Sequence, residues 1–89
     1  MNVRKEFRFT GTVQGVGFRY TAYHAARALG LTGWVRNEYD GSVTMEVQGG
    51  GESVEAVVAY IERNPSVGIE AVQSADIPLD SEERTFSIR

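Results

Sequence analysis

The side chains best suited to chemistry gather in one stretch, Gln14-Gly15-Val16-Gly17-Phe18-Arg19, and at a second position, Asn37. Two glycines allow a tight turn that presents several main-chain N–H groups inward, since no Cβ blocks the turn or an approaching anion. A helix opening at Phe18 adds its positive dipole end to the same spot. Arg19 brings a permanently charged, planar, multi-donor head suited to phosphate oxygens. The combination reads as a phosphate cradle. A glycine pair before a helix equally marks a plain strand-to-helix turn, and a lone arginine is more often solvated. Yet a cation at a helix N-terminus sits on the unfavourable side of the macrodipole, a conflict that a bound anion resolves. The stretch lacks the Gly-Lys-Ser/Thr ending of a nucleotide P-loop and the third glycine of a dinucleotide fingerprint. Asn37 reads either as a turn residue near Asp40-Gly41 or as a carboxamide that accepts a hydrogen bond from water and donates one to an oxyanion.

Other chemistries are short of residues. The chain has no cysteine, which excludes disulfides, thiolate metal sites and a cysteine nucleophile. Its single histidine, His24, makes a histidine metal site a poor fit and lies about 140° around a helix from Arg19. Tyr20, Tyr23 and Tyr39 read as packing or rim residues, Asp40 as a hairpin residue, and Glu82-Glu83 as a solvated pair. No nucleophile beside a general base can be assembled, and no metal or cofactor is expected.

The chain's 89 residues, 42% hydrophobic and 24% charged, suit one small domain spanning 1–89. A net charge of −3 argues against a general nucleic-acid binder. No apolar run reaches membrane-spanning length and Met1 to Glu6 lacks an apolar signal region, so the expectation is a cytoplasmic monomer without a membrane partner.

The elements that must position these residues follow from periodicity. Glu6 to Val13 alternate, with Phe7, Phe9, Gly11 and Val13 on one side, as in a half-buried strand. From Phe18 the period becomes helical through Ala22, Ala25, Ala26 and Leu29, with Gly30 as C-cap. Leu31 to Asn37 predicts a second strand, Asp40-Gly41 a two-residue hairpin, and Val43, Met45 and Val47 a third strand. Gly49-Gly50-Gly51 reads as a strand-breaking loop. Val54, Val57, Val58 and Ile61 form one face of a second helix, stopped by Pro65. A weaker strand is expected within 67–77 and a short one over 85–88. The order is β-α-β-β-α-β plus a short last strand. It is the α+β, ferredoxin-like arrangement: a four-stranded antiparallel sheet, a short fifth strand, and two helices on one face. There the first two strands run parallel with the third between them. Their C-terminal ends emerge about 10 Å apart at one edge, which brings Asn37 to the 14–19 loop.

Phe9 to Arg19, FTGTVQGVGFR, together with Gly33 to Gly49, GWVRNEYDGSVTMEVQG, resembles the acylphosphatase family in its two most diagnostic segments, in order and spacing. Element order agrees across nearly the whole chain, down to Phe86-Ser87-Ile88-Arg89. Two departures stand out: Phe9, where an aliphatic residue is usual, and Asn64-Pro65-Ser66-Val67-Gly68, where a glycine with paired prolines is common. The resemblance implies hydrolysis of the carboxyl–phosphate bond of small acyl phosphates without a metal. It implies Arg19 as the phosphate-binding catalytic arginine and Asn37 as the residue orienting the water, with Gly15, Val16, Gly17, Phe18 and Arg19 binding substrate. Three other readings stay open. One is a non-catalytic module of the same fold that binds a small anion or a partner. A second is an RNA-recognition module, which would need the aromatics and positive charge that Val43 to Val47 lack. The third, an acylphosphatase-like domain of a larger carbamoyl-phosphate-processing protein, is disfavoured because this chain has no cysteine for the zinc motifs of such proteins.

Overall fold

A computed structural model describes residues 1–89. The elements run β1 (Asn2–Thr12), α1 (Phe18–Ala28), β2 (Thr32–Asn37), β3 (Val43–Gly50), α2 (Gly51–Ile61), β4 (Gly68–Asp76) and β5 (Phe86–Ile88). The sheet order is β4-β1-β3-β2-β5. β3 lies between β1 and β2 and is antiparallel to both. The C-terminal ends of β1 and β2 therefore share one edge of the sheet, as the element order predicts.

The alternation in β1 and β3 buries Phe7, Phe9, Val43, Met45 and Val47 on one face. The helical stripes Phe18, Ala22, Ala25, Ala26 and Val54, Val57, Ile61 close over that face in a single cluster with Leu31, Val35 and Phe86. Phe9 is fully buried, stacked beside Phe7 and packed against Phe18 with ring centroids 4.9 Å apart. The aromatic at position 9 thus ties the start of α1 directly onto β1.

Several expectations need correction. β5 does not stand apart from the sheet. It pairs parallel with β2, Gly33 opposite Phe86, and makes the sheet five-stranded and mixed. β1 begins at Asn2, four residues earlier than the alternation suggests. The alternation is broken by Lys5, which takes a core-side position and is met by Glu55 and Asp76, whereas Arg4 is a buried cation on the helix-free face. Arg4 donates to Glu46 at 2.8 and 3.2 Å and to both carboxylate oxygens of Glu83 at 2.8 and 3.1 Å. Glu83 is therefore half of a sequestered ion pair rather than part of a solvated loop. Gly11 does not face the core; it is exposed at a register shift between β1 and β4.

Gly49 and Gly50 extend β3, and Gly51 already belongs to α2. Leu31 explains why Gly49 is small: a Cβ there would meet a Leu31 methyl at 2.6 Å. α2 ends at Ile61, short of Pro65. Asn64, kept from helical geometry by the following proline, instead closes a turn in which its carbonyl accepts from Val67 at 3.1 Å. The hairpin between β2 and β3 is longer than two residues. Gly41 N–H bonds Glu38 O at 3.2 Å and Glu38 N–H bonds Ser42 O at 2.8 Å. Gly41, at φ 94°, takes the left-handed position that follows a type I turn.

Candidate functional site

The cradle is made by the way the chain leaves β1. Gly15 and Gly17 hold φ of 75° and 78°, the left-handed region that costs other residues strain. Between them Val16 packs against the core, and Phe18 beyond them is buried. Anchored on both sides, the turn leaves its N–H groups outside. No protein acceptor takes a main-chain N–H of residues 15–20. α1 has Gly17 as N-cap, no side-chain cap bond, and no acidic residue in its first turn. The positive end of the helix and a run of unpartnered donors thus face the same place.

Arg19 is half-buried at this junction. Its guanidinium makes no ion pair with any Asp or Glu side chain, and its one hydrogen bond, to the terminal main-chain oxygen of Arg89, is long at 3.4 Å. The cations that flank the β2–β3 turn, Arg36 of β2 and Arg8 of β1, are neutralised. Arg36 pairs with Glu38 at 3.0 Å and Arg8 with Asp40. These contacts hold the Glu38 carboxyl below its ordinary range, chiefly through Arg36 and then Thr44. Asp40 is lowered mainly by the hydroxyl and N–H of Ser42, with Arg8 adding to it. The hairpin acids are thereby committed locally, and Arg19 keeps its charge available to an anion.

Asn37 ends β2 opposite Val43, which is in turn opposite Phe9 of β1. It shares the helix-covered face with Val35, two residues before it. Its Oδ1 is the one buried side-chain polar atom without a partner. An orphaned buried acceptor is uncommon and calls for a water or ligand donor. What couples Asn37 to the cradle is Gln14, whose Nε2 donates to Glu38 O at 2.8 Å and to Ser42 O at 2.9 Å. The loop after β1 is thus stitched to the hairpin that begins beside Asn37. Sequence reasoning gave Gln14 no role, because its partners are carbonyls that any residue types would provide.

The structure brings Gly15 to Arg19 and Asn37 to one sheet edge and leaves the other candidates outside the site. His24 is exposed and edge-on to Tyr23. Tyr23 packs on the core, while Tyr20 and Tyr39 are exposed. The largest cavity, about 660 Å³, lies at the far end of β1 by the start of α2. Its lysine, Lys5, is already paired with Glu55 and Asp76. A phosphoryl group needs convergent donors more than enclosed volume, so the shallow cradle is the stronger site.

The fold is an α+β sandwich, with a run of unpartnered main-chain donors at the β1–α1 junction. A family model described as acylphosphatase matches residues 5–88, and the chain belongs to that family. An acylphosphatase of Bifidobacterium longum is 45% identical over 89 residues, covering 98% of this chain and 92% of that one. The crystal structure of acylphosphatase from Bacillus subtilis superposes with a TM-score of 0.90 at 28% identity, covering 100% of this chain and 99% of the other. The chain is also similar to a part of full-length HypF, in its phosphate- and nucleotide-bound form. There the TM-score is 0.89 at 28% identity, over 100% of this chain but 12% of that protein.

Proposed function

We propose that this site hydrolyses the carboxyl–phosphate bond of small acyl phosphates by direct attack of a water held on Asn37. The run of unpartnered main-chain donors beside an Arg19 without an Asp or Glu partner, at the sheet edge where Asn37 ends β2, is the observation that carries the reading. Main-chain N–H groups of Gly15, Val16, Gly17, Phe18 and Arg19, with the Arg19 guanidinium, hold the phosphoryl oxygens. Charge spreads over those oxygens in the transition state, where fixed donors are worth most. The Asn37 carboxamide, turned toward the cradle, accepts a hydrogen bond from the water and places it opposite the leaving carboxylate. The new P–O bond forms as the bond to the carboxylate oxygen breaks, and the water's proton passes to a phosphate oxygen. A carboxylate leaves readily, so no strong general acid is needed, in keeping with a site that offers none. The proposed site is complete within one chain, which supports a monomer, and we place its action in the cytoplasm. No helix is long and apolar enough to cross a membrane.

Turnover of acetyl phosphate, with a phosphate ester beside it, tests the proposal. The protein is expected to hydrolyse the acyl phosphate with a chelator present and to leave the ester essentially untouched. Arg19→Lys is expected to lose roughly 10²–10³ in turnover, the scale of one lost oxyanion donor, because a point charge cannot replace a planar fork. Phosphate binding without turnover would identify a non-catalytic anion module instead.

A further inference from the structure

The turn after α2 reaches the cradle through two side chains. Asn64 Nδ2 donates to Thr21 Oγ1 at 2.8 Å, and Thr21 Oγ1 donates to the main-chain oxygen of Gly17 at 3.1 Å. The direction of each bond is fixed by bookkeeping. Ser66 N–H donates to Asn64 Oδ1 at 3.0 Å, so the other amide atom facing Thr21 is the donor. Thr21 has one hydroxyl proton, which goes to Gly17. A threonine bonding the carbonyl four residues back is common in helices and alone would signify little. Here a second bond comes from Asn64, 43 residues away, and selects one of the two rotamers open to a helical threonine.

We infer that Thr21 and Asn64 are positioning residues that aim the Phe18 N–H at the bound phosphoryl group. Gly17 C=O and Phe18 N–H belong to the same planar peptide and point in opposite directions, and no peptide bond in the chain is cis. Gly17 O accepts from both the N–H and the hydroxyl of Thr21, at 3.0 and 3.1 Å, so it points into α1. Phe18 N–H must then point out of the helix end, into the cradle. Gly17 is the residue least able to fix this plane by itself, since glycine tolerates many φ and ψ values. The hydroxyl and the amide behind it supply the missing restraint. Asn64 also begins the segment that departs from the family's usual glycine and prolines. The departure therefore touches the site although it lies outside both diagnostic motifs.

The inference rests on the 15–19 loop binding phosphate, so the test measures binding rather than turnover. Inorganic phosphate is titrated into the full chain while the Phe18 and Gly15 amide resonances are followed by NMR. In the unsubstituted protein both are expected to shift. Thr21→Val keeps the side chain's shape and is expected to weaken phosphate roughly three- to tenfold, about the worth of one hydrogen bond. The Phe18 response should shrink and that of Gly15 persist; Thr21→Ser should restore both. Asn64→Ala should move affinity the same way by less. The double variant Thr21→Val/Asn64→Ala should be no worse than Thr21→Val, because Asn64 acts through the hydroxyl. If phosphate does not bind the unsubstituted protein, the reading of the loop fails and this inference with it. If it binds, and Thr21→Val keeps the affinity and the Phe18 shift, or the two losses simply add, only the positioning role is overturned.

Discussion

Gln14→Leu separates the site's geometry from its charge. The change keeps the size of the side chain and removes the two bonds from Nε2 to Glu38 O and Ser42 O. Neither carbonyl is left orphaned, since Glu38 O still accepts from Gly41 and Ser42 O from Glu38. The penalty for a buried unsatisfied group therefore does not apply, and only the net worth of two bonds is lost. At about 0.5–1.5 kcal/mol each, and with Gln14 half-buried, the expected destabilisation is about 1–2 kcal/mol. For a domain of this size that lowers the melting temperature by roughly 5–15 °C, which a thermal scan by circular dichroism measures directly. The effect on catalysis should be selective. Arg19 and the cradle N–H groups do not depend on Gln14, so inhibition by inorganic phosphate should change by less than about threefold. kcat should fall by about tenfold or more, because the hairpin carrying Asn37 loses its tie to the loop and misplacement near 1 Å costs up to ~10². A variant with a lowered melting temperature but an unchanged kcat would show that Gln14 only holds the fold. Unchanged stability would refute the hydrogen-bond reasoning itself.

Two further outcomes follow from the frame of the site. Gly33, at φ 140° between β3 and β5, has no room for a side chain, since a Cβ would lie 1.9 Å from Glu46 O; Gly33→Ala should cost about 3 kcal/mol or more in urea denaturation. The lowered carboxyls of Glu38 and Asp40 contribute stability that is complete above the ordinary carboxylate range near about pH 4 and is lost as pH falls through their depressed folded values. The melting temperature should accordingly drop below about pH 4, and Asp40→Asn should make that drop shallower.

The parts legible in the sequence were those set by local backbone chemistry. The glycine pair, the change of period at Phe18 and the strand order together placed Gly15 to Arg19 beside Asn37. Acylphosphatase-like segments then made the pairing specific. What stayed hidden depended on contacts that leave no pattern. Gln14 binds carbonyls, and Asn64 reaches Thr21 across the helix layer. Lys5 broke the alternation of β1 at a core-side position because its charge is met by Glu55 and Asp76, and the burial of Arg4 rests on Glu46 and Glu83; no window around residues 4 and 5 contains these partners. The parallel pairing of β5 with β2 was equally beyond reach, since three residues of strand carry no signal about their neighbour. The hairpin was placed correctly but its length was not, because Asp-Gly suits both a two-residue turn and a type I turn followed by a left-handed glycine.

The central claim is that Asn37 holds the attacking water while the 15–19 loop and Arg19 hold the phosphoryl group. The most direct measurement compares kcat for acetyl phosphate with the inhibition constant for inorganic phosphate in Asn37→Ala. Turnover is expected to fall on the order of 10²-fold or more, with phosphate inhibition within about threefold of the unsubstituted protein because the donors of the cradle remain. An Asn37→Ala protein that keeps full turnover, or loses turnover and phosphate affinity in equal measure, would contradict the account.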